Sequence, residues 1–268
     1  MKDKIAIVDL NDVQDELYKL MKKQGSECEL VDINRKTDFS KYDKIILPFP
    51  SKKEKLSFLS DISGVFSKGQ TVIGGLLDED AKISLSDMGV NFVDYFTFET
   101  YVLRNAYLTT QGAVRLLLEN TKGYIAGKNA VVTGFGRIGK SLALMLKALG
   151  IKVFVAVRSD IQAADALSLG FDVFKISQLK SVAFYFDYIF NTIPFRIFED
   201  EDIRRMRDDC IYFEIASKPF GADVNSFKKH EKAFVSGSAL PGRFYPKAVA
   251  DNIYKQIFSF IENEKGEK

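Results

Sequence analysis

The sequence predicts an α/β chain built as two doubly wound parts, the larger one at the carboxyl side, joined by linker helices. Three observations carry this. Residues 130–133 are a short β-branched run that leads into Gly134, Gly136 and Gly139 in G-x-G-x-x-G spacing, and Ile138, Leu142, Met145, Leu146 and Leu149 then recur at helical spacing. Residues 4–88 alternate short apolar runs with amphipathic ones, the pattern of strands crossing over through helices. At 268 residues the chain is long enough to bury two cores.

The glycine-rich stretch reads as strand, tight turn, helix. Gly134 permits the turn, Gly136 lets backbone N–H groups approach a pyrophosphate, and Gly139 lets helix and strand pack closely. Arg137 and Ile138 open the helix, whose amino end offers partial positive charge to phosphates. Gly150 closes it and residues 152–157 read as the next strand, so the βαβ unit of a Rossmann dinucleotide-binding domain is complete. A glycine-rich turn that binds nothing is the bland reading of the same residues.

The second strand bears on which dinucleotide. An NAD site places a carboxylate about 20 residues past the first glycine to accept from the ribose 2′-OH. Here Val157 ends the strand and Arg158 and Ser159 follow. A guanidinium stands where it can clamp a 2′-phosphate, which favours NADP and leaves NAD possible through Asp160.

Net charge is +2, with 38 Lys and Arg against 36 Asp and Glu, so no electrostatic footprint points to nucleic acid. Lys52, Lys53 and Lys55, and Lys228 and Lys229, read as solvated helix faces. No apolar stretch reaches the ~18 residues of a membrane span, and the first eleven residues do not pattern as a signal peptide, so a cytoplasmic protein is expected. Cys28 and Cys210 are the only cysteines and lack metal-ligand spacing; buried thiols are expected and no metal site. His230, the sole histidine, lies in a polar stretch and reads as a surface residue.

In order along the chain, strands are expected at residues 4–9, 29–33, 44–48 and 71–73, with helices at 13–23, about 53–62 and about 78–88. The turn Asp9-Leu10-Asn11-Asp12 has no glycine fingerprint, so the first domain should not bind a dinucleotide in the Rossmann manner. Gly74-Gly75 reads as a plain tight turn or as a loop facing a cleft. Phe92, Tyr95, Phe96, Phe98 and Tyr101 read as core or a domain-packing surface. Residues 108–120 read as a linker helix capped by Thr109 or Thr110, with Val114, Leu117 and Leu118 inward and Gly123 at its end. Beyond the fingerprint unit come a helix at 161–169, strands at 172–175, 188–192, 211–215 and 234–236, and a terminal helix at 249–261 that should return to the first domain; residues 262–268 should fray. The boundaries follow: 1–104 a substrate-side α/β domain, 105–123 the linker helix, 124–245 the Rossmann domain, 246–268 the returning helix.

Strand ends then deliver the loops 191–194, 217–221 and 239–243 to the rim that holds the glycine turn, outside the carboxyl ends of the strands where open α/β sheets bind ligands. Asn191 and Thr192 are expected to line the nicotinamide ribose and carboxamide, with Ile193 beside them and Pro194 shaping the loop. Lys218 and Arg243 are the cations assigned to carboxylates of a small dicarboxylate substrate, with Ser217 as hydrogen-bond partner, and Thr109 and Gln111 are expected to face it from the other wall of a cleft.

Gly134-Phe-Gly-Arg-Ile-Gly139 with Lys147-Ala-Leu-Gly150, then Asn191-Thr-Ile-Pro194, Ala216-Ser-Lys-Pro-Phe-Gly221 and Leu240-Pro-Gly-Arg-Phe-Tyr-Pro-Lys247, resembles the family of dipicolinate synthase A subunits, over about residues 101–260. The fold is also similar to that of the 2-hydroxyacid dehydrogenases. The resemblance implies an NADP-dependent oxidoreductase that oxidises dihydrodipicolinate to dipicolinate together with a flavoprotein-like B subunit in sporulating bacteria; a homo-oligomer is compatible with it. Two places depart from the family: Val8-Asp9-Leu10-Asn11 stands where it has a Gly-Gly-Asp turn, and Thr109-Thr110-Gln111-Gly112 where it has Thr-x-Glu-Gly, so Gln111 cannot titrate as the Glu would. A catalytically weak NADP-binding partner subunit, or a paralogue acting on another small carboxylate, is the alternative.

Overall fold

The computed structural model describes residues 3–32, 38–51 and 65–266, with side chains to residue 260. The helix expected at 53–62, the Lys52, Lys53 and Lys55 cluster and Ile33 lie outside the described residues. The chain divides into two compact units, Met1–Asn105 with Pro241–Lys268, and Ala106–Leu240.

The first unit is a parallel sheet of β1 (Lys4–Asp9), β2 (Glu27–Asp32), β3 (Lys44–Ile46), β4 (Thr71–Gly74) and β5 (Asn91–Asp94), in the order β2-β1-β3-β4-β5. This is the second common doubly wound order. Ile5 to Val8 and Ile45 to Leu47 are continuous buried apolar runs because helices cover parallel strands on both faces. Helix α1 (Asp12–Lys23) buries Val13, Leu17 and Met21, and the Asn11 side chain caps it by accepting from Val13 N at 3.0 Å. Helix α2 (Glu79–Asp87) returns the chain to β5.

Strand β5 was not foreseen, because its aromatic neighbours hide a four-residue strand with only Val93 and Asp94 buried. Of the aromatics expected as core or packing surface, Tyr95 and Tyr101 are buried with ring centroids 4.8 Å apart, Phe96 and Phe98 are half-buried, with Phe96 stacked on Phe49 at 5.3 Å, and Phe92 is exposed. Gly74 and Gly75 are closely packed. A Cβ on Gly74 would stand 2.7 Å from Ser51 Oγ, and one on Gly75 2.5 Å from the Tyr95 ring.

Helix α3 (Glu99–Asn120) is longer than residues 108–120, and the unit boundary falls within it. Thr109 and Thr110 are therefore mid-helix rather than caps. Both are buried, and Thr110 Oγ1 donates back to Ala106 O at 3.1 Å, which satisfies the hydroxyl without ending the helix. Leu117 is buried but Leu118 is exposed.

The second unit carries β6 (Asn129–Thr133), α4 (Arg137–Ala148), β7 (Lys152–Val157), α5 (Asp160–Ser168), β8 (Asp172–Lys175), α6 (Ile176–Val182), β9 (Tyr188–Asn191), α7 (Asp200–Arg204), β10 (Ile211–Glu214), α8 (Val224–Lys229) and β11 (Ala233–Ser236). Its six parallel strands run β11-β10-β9-β6-β7-β8, the Rossmann order read from the opposite edge. The short helices α6, α7 and α8 were not foreseen. Each is seven residues or fewer, too short for a 3.6-residue period to show, and the apolar anchors Leu179, Ile203 and Phe227 hold them to the core.

After β11, α9 (Leu240–Phe244) stands where a loop at 239–243 was expected; Pro241 is tolerated in its first turn, where its missing N–H costs no helical bond. Helix α10 (Pro246–Gly266) packs on α1 within the first unit, with Ile253 and Ile257 buried and Asn252 Nδ2 donating to Tyr101 O at 3.1 Å. Its backbone stays helical to Gly266, so the fraying expected from residue 262 is not seen. Cys28 and Cys210 are free and buried, and burial pushes the Cys210 thiol up to about 12. No helix among the described residues is long and apolar enough to cross a membrane.

Candidate functional site

Strand register places a polar row at one edge of the second unit. Thr133 pairs with Asn191, Asn191 with Glu214 and Glu214 with Ser236, each at or beside the carboxyl end of its strand. On the other flank of β6, Val157 ends β7 beside Lys175, which ends β8.

The glycine turn starts from this row. Gly134 adopts φ +79°, a conformation side-chain-bearing residues resist, and donates its N–H to Ala156 O at 2.8 Å. A Cβ on Gly139 would stand 2.3 Å from Gly134 O, so helix and turn touch backbone to backbone there. A Cβ on Gly136 would meet nothing within 4 Å. Gly136 is also the cap residue of α4, a 12-residue helix, and supplies no side-chain hydrogen bond of its own to that end. That is the cradle a pyrophosphate requires, and the residues present fit a dinucleotide.

Behind the turn lies a buried network. Thr133 Oγ1 donates to Asn191 Oδ1 at 2.6 Å, and Thr192 Oγ1 donates to Thr133 O at 2.6 Å. Asn191 Nδ2 donates to Glu214 Oε1 at 2.6 Å and to Ile193 O at 2.9 Å, while Asn191 Oδ1 also accepts from Ile193 N at 3.3 Å. Glu214 Oε2 accepts from Gly221 N at 2.8 Å and Tyr212 OH at 3.1 Å. Glu214 and Asn191 are fully buried. Burial pushes the Glu214 carboxyl above the usual glutamate range, and the hydrogen bonds from Asn191, Gly221 and Tyr212 act against that rise.

Two consequences follow for the sequence reading. The Asn191 amide uses both donors and both acceptor sites within the chain, so it clamps the loop after β9 and has none left for a nicotinamide carboxamide. Glu214, which the sequence reading passed over, ties that loop to the one ending at Gly221. The signal for it was faint: one acid inside the apolar run Ile211 to Ile215.

The remaining candidates distribute as follows. Arg137 begins α4 and is exposed, and Ile138 is half-buried. Thr192 and Ile193 are half-buried and Pro194 exposed, with Ile193 Cγ2 facing the Gly134 Cα. Val157 is buried; Arg158 and Ser159 are exposed, and the Arg158 guanidinium lies over the Phe195 ring, 5.5 Å from its centroid. Asp160, the carboxylate an NAD site would use, accepts from Lys175 Nζ, which holds it below the usual aspartate range. Ser217 and Lys218 are exposed after β10. Arg243 belongs to the first unit, over the Phe244 ring at 4.7 Å. Thr109 and Gln111 are mid-helix on α3, Thr109 buried and Gln111 half-buried, not at the helix start. His230 Nε2 lies 3.1 Å from Asp200 Oδ1, where α8 meets α7. No cluster that could hold a metal occurs among the described residues.

Residues 105–237 match the family model described as S-adenosyl-L-homocysteine hydrolase, NAD binding domain. Among curated proteins, the dipicolinate synthase A subunit of Bacillus subtilis (strain 168) is 28% identical over 177 residues, 65% of this chain and 60% of that protein. The chain resembles the dipicolinate synthase A subunit. The crystal structure of that protein from Bacillus subtilis superposes with a TM-score of 0.82 at 20% identity, covering 100% of this chain and 98% of the other. An adenosylhomocysteinase from Saccharolobus solfataricus is 30% identical over 179 residues, 66% of this chain but 41% of the relative. The apo-structure of D-lactate dehydrogenase from Escherichia coli has a TM-score of 0.65 at 15% identity, covering 99% of this chain and 98% of that one. The chain thus spans 60% of the dipicolinate synthase relative and 41% of the hydrolase, and the family model's match at residues 105–237 contains the glycine turn.

Proposed function

We propose that the chain is a cytoplasmic NADP-dependent oxidoreductase of the dipicolinate synthase A type, which oxidises dihydrodipicolinate to dipicolinate with a flavoprotein-like B subunit. The observation that carries the proposal is the glycine-built turn at the amino end of α4, whose cap residue Gly136 has open space where a Cβ would stand, within the residues that match an NAD-binding domain model and in a chain 28% identical to a dipicolinate synthase A subunit. Bound NADP⁺ supplies the hydride acceptor. The chain's own part begins with binding: the Gly136 turn and the first amides of α4 hold the pyrophosphate, Arg158 holds the 2′-phosphate, and Val157, Ser159, Thr192, Ile193 and Pro194 shape the flanks.

Aromatisation of a dihydropyridine dicarboxylate favours hydride loss, so the protein needs only a weak base and two neutralised carboxylates. Lys218 and Arg243 are the cations proposed for those carboxylates, with Ser217, Thr109 and Gln111 as polar contacts. Assayed by NADPH absorbance with dihydrodipicolinate, the chain is expected to turn over with the B subunit. No turnover either with or without it overturns the oxidoreductase reading. Arg158→Ala should raise KM for NADPH and spare NADH; Lys218→Ala and Arg243→Ala should lose substrate binding while keeping the nucleotide.

A second reading is a nucleotide-binding partner subunit or a paralogue acting on another small carboxylate. It is favoured by His230, which pairs with Asp200 at the α7 and α8 contact and not at the strand-end row, and by Gln111, which cannot titrate. Nucleotide binding without turnover selects it.

A further inference from the structure

We infer that Phe195 and Lys175 are the residues that make this nucleotide site select for a 2′-phosphate, Phe195 by bracing Arg158 and Lys175 by masking Asp160. The inference rests on the proposed NADP reading and adds two residues to it.

At the ends of β7 and β8 stand two cations and one acid within the second unit. Arg158 is exposed and leaves the strand with no carboxylate bonded to it among the described residues. A long exposed side chain of this kind loses much rotamer freedom when it binds an anion. The Phe195 ring lies under the guanidinium, 5.5 Å away, so part of that freedom is removed before any ligand arrives. The ring is itself held: Phe195 N donates to Ile193 O at 2.9 Å, and Ile193 is gripped on both its N–H and its C=O by the Asn191 amide. Phe195 is 52% exposed, so it does not serve as core, and the charge on its face is the contact that explains its place.

Asp160 is the other half. Two residues past Arg158, it would repel a 2′-phosphate and could accept from a bare ribose hydroxyl, both of which favour NAD. Lys175, in register with Val157, bonds this carboxylate. The acid is thereby neutralised at the position where a second phosphate charge would be placed, leaving Arg158 as the net charge of the rim.

The test is equilibrium titration of the full chain with NADPH and with NADH, read as the ratio of the two dissociation constants, with thermal melting as a folding control. Arg158→Ala should cut the preference for NADPH roughly tenfold, the scale of a charge-assisted contact. Phe195→Leu should cut it roughly two- to fivefold, the scale of an exposed cation–π contact, while Phe195→Tyr, which keeps the ring, restores it. Lys175→Met should cut it by a similar, roughly two- to fivefold factor by unmasking Asp160, and Lys175→Met with Asp160→Asn should recover most of the loss. If Arg158→Ala leaves the ratio unchanged, the NADP reading itself falls. If Arg158→Ala collapses the ratio but Phe195→Leu and Lys175→Met do not move it, the NADP reading stands and this inference falls. Equal loss of both nucleotides in Phe195→Leu also overturns it, because that is the signature of a ring touching the adenine.

Discussion

The two parallel sheets begin alike, a buried strand running into a 12-residue helix, and differ in what meets the helix's first amides. At the start of the first unit, Asn11 bonds Val13 N and closes the end of α1. At the start of the second, Gly136 leaves the end of α4 without a side-chain cap, and Gly134 and Gly139 bring turn and helix into backbone contact. One topology thus serves two purposes. A capped turn spends its helix dipole on its own side chain, and an uncapped one keeps it for an anion.

Substitutions can break this contrast in graded steps. The largest effect is expected for Gly139→Ala, whose methyl would meet Gly134 O: it should cost about 3 kcal/mol in denaturant unfolding and abolish nucleotide binding. Gly136→Ala meets open space at a negative φ, so it should melt as the wild type does and still bind nucleotide more weakly. Equal stability losses in the two variants would erase the distinction between a packing glycine and an access glycine.

Next is Glu214→Gln, which replaces one of two accepting carboxylate oxygens, Oε1 bonded by Asn191 or Oε2 bonded by Tyr212 and Gly221, with an amide NH₂ that cannot accept. It should cost about 2 kcal/mol at neutral pH, the scale of a spoiled buried hydrogen-bond network, and should loosen the loops at Ile193 and Gly221. Its pH dependence has a definite sign. Glu214 is raised in the folded state, so its contribution is full below 4.5 and declines as pH rises toward the folded value. Unfolding measured from acid to neutral pH should show that decline in the wild type and lose it in the variant.

Asn11→Ala is smaller. Loss of the cap should cost about 1 kcal/mol and leave nucleotide affinity unchanged, which sharpens the separation between the two turns. Asp200→Asn should be the mildest. Lys229 and His230 hold the Asp200 carboxyl down to about 2 from 3.8, so its contribution is present above 3.8 and lost as pH falls toward 2. The variant should be slightly less stable than the wild type near neutrality and converge with it as pH falls toward 2; a difference that persists in acid would assign Asp200 another role.

Much of the fold was legible because long periodic segments and glycine spacing are local properties. Residues 152–157 and 172–175 were read to the residue, and Gly134, Gly136 and Gly139 announced a turn whose geometry is now visible. What failed was short or shared. Strand β5 sits among aromatics, α6 to α8 are too brief for periodicity, and α3 runs through threonines that sequence reasoning takes for caps, because a threonine hydroxyl can bond the preceding turn as well as begin a new one.

For the candidate site, the sequence by itself determined the glycine turn, Arg158 after the second strand and the loops that follow β9 and β10, since each depends on residues adjacent in the chain. Only the tertiary structure decided what those side chains do with one another. Asn191 proved to be a clamp and not a contact, Glu214 the acid that holds two loops, Phe195 the ring beneath Arg158 and Lys175 the partner of Asp160. The reason is register: parallel strands bring Thr133, Asn191 and Glu214 side by side although they are 58 and 23 residues apart in sequence, and no local pattern encodes that alignment.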